Sequence, residues 1–237
     1  MPRKNHPWVC CQLGSREHYA IARVLHQQGR LRFLLTDYWA EPTDLTTRLL
    51  PRRYAKVAER RHAELAGARI LQWGPGRIAF DLRTRRLTPW EQTMRRNAAF
   101  ERVLLRRLRP HHKALAEEPG TFFAYSYAAR ELLAFFRELG WRTVLGQIDP
   151  GPREEEIVTA EVRANPQVAT SWEPAPPAYW ERWREEIAFA DRLIVNSPWS
   201  RQALVEKGVE AERIDIVPLA YEAPAAEAAA RAYPGAF

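Results

Sequence analysis

The chain has 237 residues, 46% of them apolar, and a formal charge of +7. That is enough apolar material for one sizeable core, and no apolar run approaches the roughly 18 residues of a spanning helix. Met1-Pro2-Arg3-Lys4 lacks the apolar stretch of a secretory signal, so a cytoplasmic location is expected, at most peripheral on the inner face of the cytoplasmic membrane.

Residues 7–13 read as a first buried strand, closed by Gly14-Ser15, with a helix from about 16 to 28 that Gly29 ends. Cys10 and Cys11 lie on that strand, where consecutive side chains point to opposite faces; this favours core packing over a disulfide or a metal site. Residues 31–36 give a second strand with Asp37-Tyr38-Trp39 at its carboxyl end, and 40–68 a Pro-interrupted, mostly helical basic excursion. A short strand is expected at 69–72 and a Gly/Pro turn at 73–77. Thr88, Pro89 and Glu91 mark the start of a long helix that runs to about Arg109 and stops at Pro110.

The next strand is 121–124, and Leu132, Phe135, Phe136 and Leu139 recur at helical spacing before Gly140. Another strand at 143–147 ends in Asp149-Pro150-Gly151, and an acidic helix starts near Arg153. After a Pro-rich break at 174–177, Trp180, Trp183, Ile187 and Ala190 line one helix face. Leu193-Ile194-Val195 is a buried-strand run, Ser197 the N-cap and Pro198 the first residue of a helix that Gly208 terminates, and 214–217 is the last strand before Pro218. Strands alternating with helices, several as continuous apolar runs, predict a doubly wound, Rossmann-like α/β domain with a mainly parallel sheet covered on both faces. Ligands of such sheets bind beyond the carboxyl ends of the strands, which points to the loops after each strand.

Charge is unevenly distributed. Residues 48–113 hold 18 Lys or Arg against 5 Asp or Glu, a net of +13, whereas 117–237 hold 12 against 20, a net of −8. A basic field of this kind suits an anionic lipid surface, a phosphorylated substrate or nucleic acid. Nucleic acid is disfavoured because no zinc finger, RNP-like motif or other reader is present. On the helix near 89–109, Phe100, Val103, Leu104 and Leu108 alternate with Arg95, Arg96, Arg102, Arg106 and Arg109, the pattern of a peripheral amphipathic surface.

Several strand-end groups are candidates for binding. Gly14, Ser15 and Arg16 would open a helix with its backbone N–H groups and positive dipole end toward an anion or hydroxyl, although neither the G-x-G-x-x-G pattern nor a Walker lysine is present. Glu17, His18 and Tyr19 follow on the same loop. His18 is either a hydrogen-bonding group of the cleft or a satisfied helix histidine, and Glu17 either a local partner of Arg16 or a carboxylate of the site. Asp37 ends the second strand. Tyr125, Ser126 and Tyr127 offer rings and hydroxyls to a ligand or pack as a strand-end cluster. Asp149 reaches the crevice or caps a turn, Asn196 ends a strand ahead of the Ser197 cap, and Arg201 aims at phosphate or covers its helix.

Ala190-Asp191, Val195-Asn196-Ser197, Ser200-Arg201 and Val217-Pro218-Leu219 closely resemble the last strand–helix–strand unit of the N-terminal domain of retaining family 4 glycosyltransferases, which have the GT-B fold. Ala220 departs from the Gly common there. Gly14-Ser15-Arg16-Glu17-His18-Tyr19, with Leu34-Leu35-Thr36-Asp37-Tyr38-Trp39, is similar to a bacterial subgroup of that family. Many of those enzymes place a His after the fourth strand where this chain has Tyr125-Ser126-Tyr127, so no histidine role carries over and the catalytic residues stay unassigned. The resemblance implies an acceptor-side domain at 1–222, an Ala/Pro-rich linker remnant at 223–237 and a donor-binding C-terminal domain outside the chain. It further implies transfer, with retention, from a nucleotide diphosphate sugar to a sugar or lipid-linked acceptor, with no metal or other cofactor. The donor would be held mainly by the other domain, leaving this chain inactive alone. A basic membrane-surface or acceptor-docking module, or one subunit of a split enzyme, are the alternatives.

Overall fold

The computed structural model describes residues 6–40, 60–167 and 171–219; most of the basic excursion, 41–59, and the Ala-rich segment from 220 onward lie outside them. Seven strands form one sheet: β1 (Trp8–Gln12), β2 (Leu31–Thr36), β3 (Ile70–Gln72), β4 (Thr121–Tyr125), β5 (Arg142–Gly146), β6 (Arg192–Val195) and β7 (Ile214–Ile216). Every pairing is parallel, in the order β3-β2-β1-β4-β5-β6-β7. The order reverses between β1 and β4, which makes that point the topological switch of the sheet.

The strand sequences dictate the two layers. Val9 and Cys11 of β1, Phe33 and Leu35 of β2, and Phe122 and Ala124 of β4 face one core cluster; Cys10, Leu34 and Phe123 face the other. The first layer is covered by α3 (Pro89–Leu108), α5 (Arg130–Glu138) and α7 (Pro177–Phe189), the second by α1 (Ala20–Gln27) together with Leu65. The remaining helices among the described residues are α2 (Gly76–Thr84), α4 (His112–Glu117), α6 (Pro152–Ala164) and α8 (Pro198–Glu206). Burial pushes both thiols, Cys10 and Cys11, far above their ordinary range.

Start signals expected from the sequence operate as written. Thr88 and Glu91 form a reciprocal capping box, the Thr88 hydroxyl accepting from Glu91 N and the Glu91 carboxylate accepting from Thr88 N, with Pro89 following. Ser197 Oγ accepts from Ser200 N at 3.1 Å, and Gly208 takes φ +88° after α8. Thr88→Ala is expected to lower the unfolding free energy by about 1 kcal/mol, measurable by chemical denaturation.

Three expectations are corrected. Residues 16–19 do not begin a right-handed helix: Glu17, His18 and Tyr19 take φ of 47°, 47° and 61°, and the helix starts only at Ala20. The Gly/Pro turn at 73–75 leads directly into α2, where a turn through 77 was expected. On α3 most of the apolar stripe is consumed by the core, Phe100, Leu104 and Leu108 being fully buried and Val103 half-buried, while Arg95, Arg102 and Arg106 face outward. Among the described residues no helix is long and apolar enough to cross a membrane.

Candidate functional site

A cavity of about 300 Å³ opens at the carboxyl ends of β1, β2 and β4, at the switch point. Its floor is Cys11, Gln12 and Leu13 of the first strand and its exit; Gly14 and Arg16 come from the next loop and Asp37 from the end of β2. Tyr125, Ser126, Tyr127 and Ala128 follow β4, and Thr93, Arg96, Asn97 and Phe100 descend from α3. Arg60, Arg77 and Tyr179 complete the lining.

Asp37 organises one wall. It is 2% exposed; its Oδ1 accepts from Gly14 N at 2.9 Å and its Oδ2 from Arg60 Nη1 at 2.5 Å. Arg77 Nε lies 3.6 Å from the same Oδ2, beyond hydrogen-bond distance, and its Nη1 pairs with Asp81 one helical turn away. Gly14 takes φ +73°, which turns its N–H onto Asp37, a conformation that a side chain disfavours.

The left-handed run after Gly14 is pinned at both ends. Gln12 Nε2 donates to Gly14 O and Arg16 O, the Tyr125 hydroxyl donates to Glu17 Oε2 at 2.7 Å, and Tyr19 is buried edge-on against Trp39. A non-glycine residue in this region costs about 1 kcal/mol or more, so three in succession persist only where the surroundings over-determine them. Burial, then the hydrogen bond to Glu17 and its charge, push the Tyr125 hydroxyl well above its ordinary range. The Arg16 guanidinium sits 5.8 Å over the Tyr125 ring.

Two buried carboxylates hold the opposite wall. Glu186 accepts from Tyr127 N and Ala129 N, each at 2.6 Å, and Glu101 accepts from Glu131 N at 2.5 Å and from Arg182 at 2.7 Å. Two donors at the N-terminus of α5, Ala129 N and Glu131 N, are thus taken by the protein's own acids. Burial pushes the Glu186 carboxyl up to about 8, against the two backbone donors that favour its charged form. Tyr127, at φ +80°, stacks on Tyr179 with centroids 5.3 Å apart and donates its hydroxyl to Asp149 Oδ1.

Besides Arg77 Nε, two cavity groups lack hydrogen-bond partners among the described residues. Asn97 Nδ2 donates to Tyr127 O at 2.7 Å, which fixes the amide and leaves Oδ1 without a donor; Ser126 Oγ also has no partner. Both residues are at most 5% exposed. Buried polar atoms of this kind are rare unless a ligand or water completes them.

Of the residues singled out by sequence, this cavity gathers Gly14, Arg16, Asp37, Tyr125, Ser126 and Tyr127. Ser15, Glu17 and His18 stand exposed on the neighbouring loop, and Tyr19 belongs to the core. Asp149 and Asn196 line a second cavity of about 450 Å³ beside the exposed Trp199. There Asp149 caps its turn by accepting from Gly151 N, and Asn196 Oδ1 accepts from Ser200 Oγ. Arg201 donates to Ala211 O and ties α8 to the segment before β7. Arg60, Arg77, Arg96, Asn97 and Tyr179 escaped the sequence reading. The signal was present for Asn97 and Glu101, polar groups within the buried stripe of α3. Among the described residues no group of three or more His, Cys, Asp or Glu converges on a metal position.

No protein-family model and no curated protein sequence matches the chain. Among solved structures it is similar to Phytolacca americana UGT2 complexed with UDP-2fluoro-glucose and pterostilbene, at 13% identity and a TM-score of 0.50, over 94% of this chain and 56% of that one. A UDP-glucosyltransferase from Polygonum tinctorium capable of glucosylating indoxyl matches at 11% identity and a TM-score of 0.45, over 92% of this chain and 53% of that one. LpCGTa in complex with UDP matches at 14% and 0.47, over 95% and 56%. What the chain shares with the first is the α/β fold, and it spans little more than half the length of these structures.

Proposed function

We propose that this chain is the acceptor-binding half of a glycosyltransferase of the GT-B type, resembling the retaining family 4 enzymes. A sugar passes from a nucleotide diphosphate sugar to an acceptor hydroxyl with its configuration kept. The observation that carries this reading is the cavity at the β1/β4 switch point, walled by tyrosines and holding two buried, unpartnered oxygens, Asn97 Oδ1 and Ser126 Oγ, that suit the hydroxyls of an acceptor. The shared fold with a glycosyltransferase supports it at the level of architecture.

In this scheme the chain orients the acceptor and excludes water with Tyr125, Tyr127 and Tyr179. A second nucleotide-binding unit, on the same polypeptide or another, holds the donor and stabilises its departing diphosphate; positioning and that stabilisation supply much of the rate. Purified 1–237 is therefore expected to show no turnover with nucleotide sugars and no tight binding of them, by product chromatography and calorimetry. Robust transfer by this chain alone would overturn the half-enzyme reading. The anomeric configuration of the product formed by the complete enzyme, read by proton NMR, tests retention.

A second reading, contact with an anionic membrane surface, is favoured by the outward arginines of α3. Salt-sensitive flotation with anionic but not neutral liposomes supports it, and equal behaviour with both removes it.

A further inference from the structure

We infer that the molecule held in the switch-point cavity is a phosphorylated polyol, its phosphate on Arg60, Arg77 and Arg96 and a hydroxyl on Asn97 Oδ1 and Ser126 Oγ. This deepens, and rests on, the acceptor-site reading.

The charge balance of the cavity leads there. Among the described residues four arginines line it, Arg16, Arg60, Arg77 and Arg96, against one lining carboxylate, Asp37. Arg16 is occupied with the Tyr125 ring, Arg60 and Arg77 share Asp37, and Arg77 also pairs with Asp81 outside the lining. Arg77 Nε is buried and unbonded. Arg96 is half-buried and makes no hydrogen bond or ion pair with any described residue. Its burial and the neighbouring Arg77 charge lower the pKa of its guanidinium, the mark of a cation without enough counter-charge. Partly buried cations beside one another are unfavourable until an anion arrives, and guanidinium forks match the oxygens of a phosphate.

An anion alone does not complete the cavity. Asn97 Oδ1 is an acceptor with no donor, because the Nδ2 bond to Tyr127 O fixes the amide; facing phosphate oxygen it would repel. It requires an O–H or N–H, as Ser126 Oγ, also unpartnered, can equally serve. Asn97 follows Arg96 directly on α3, so one helix offers a cation and an acceptor to the same space. A ligand with a phosphate at one end and hydroxyls at the other satisfies both.

The test is binding to purified 1–237, by calorimetry and amide NMR shifts, of glucose, glucose 1-phosphate, glucose 6-phosphate, glycerol 3-phosphate and inorganic phosphate. At least one phosphorylated polyol is expected to bind about tenfold or more tightly than glucose and than inorganic phosphate. Arg96→Ala should weaken that binding about tenfold or more, and Ser126→Ala should weaken it while leaving inorganic phosphate unchanged. Competition by vesicles containing phosphatidic acid, and not by neutral vesicles, would place the phosphate on a lipid; no competition would place it on a soluble ester.

The inference is overturned if phosphorylated and plain polyols bind alike, if no phosphate ester in solution or on vesicles binds, or if Arg96→Ala binds as the parent does. Arg96 has no hydrogen-bond or ion-pair partner among the described residues to lose, so the variant should fold; should it not, the ligand series on the parent chain decides. Arg96-dependent binding without any sugar transfer by the complete enzyme would sink the transferase reading and keep this one. Transfer to a phosphate-free acceptor, indifferent to Arg96→Ala, would do the reverse.

Discussion

Asp37→Ala is expected to lower the free energy of unfolding by about 3–5 kcal/mol, seen as a lower urea midpoint at an unchanged m-value. The carboxylate is almost wholly buried and answers to three groups, Gly14 N, Arg60 and the nearby Arg77. Truncation strands the Arg60 guanidinium near Arg96, leaves Arg77 with Asp81 alone, and leaves the Gly14 N–H without its acceptor. Asp37→Asn separates the contributions: the amide oxygen can still accept from Gly14 N, but the negative charge is gone, so its cost should fall between those of the parent and the alanine variant. If the alanine variant is as stable as the parent, Asp37 does not hold this wall together.

Glu186→Ala should cost about 2–5 kcal/mol near neutral pH, because the N–H groups of Tyr127 and Ala129 lose their acceptor in a place water does not reach. The pH dependence has a definite sign. Burial raises the folded-state pKa of Glu186 from 4.5 to about 8, so between these values the folded chain binds more protons than the unfolded one. This stabilisation is complete below the unfolded value and is lost as pH rises through about 8. Stability should therefore fall across that window with a slope approaching about 1.4 kcal/mol per pH unit. Glu101 is shifted in the same direction, also by burial. In Glu186→Ala that limb flattens, and the cost of the substitution shrinks toward pH 9. A parent protein whose urea midpoint is level from pH 5 to 8 would refute the assignment.

The strands and their parallel pairing were legible because each is an apolar run bounded by Gly, Pro or Asp, and the caps at Thr88 and Ser197 because capping is a local matter of two or three residues. Helix α2 was not, since it buries none of its residues fully and so writes no apolar stripe into the sequence. The left-handed turn at 17–19 was equally hidden. Glu, His and Tyr carry no preference for positive φ; contacts made far along the chain, by Tyr125 and Trp39, impose it. For the candidate site, the strand-end residues Gly14, Asp37 and Tyr125–Tyr127 could be located from topology alone. The arginines could be counted but not placed, because Arg60, Arg77 and Arg96 converge only when three separate segments are brought over the sheet.

The alternation at Cys10 and Cys11 gives the molecule a pair of native reporters. Adjacent in sequence, they look into opposite layers, and burial holds both thiols protonated, so Cys10 reacts with an alkylating reagent only when the α1 layer opens and Cys11, 2% exposed at the cavity floor, when its own side loosens. Peptide mass analysis after timed alkylation thus dates separately the opening of the side covered by α1 and the side covered by α3, α5 and α7. One strand carries a clock for each half of the core.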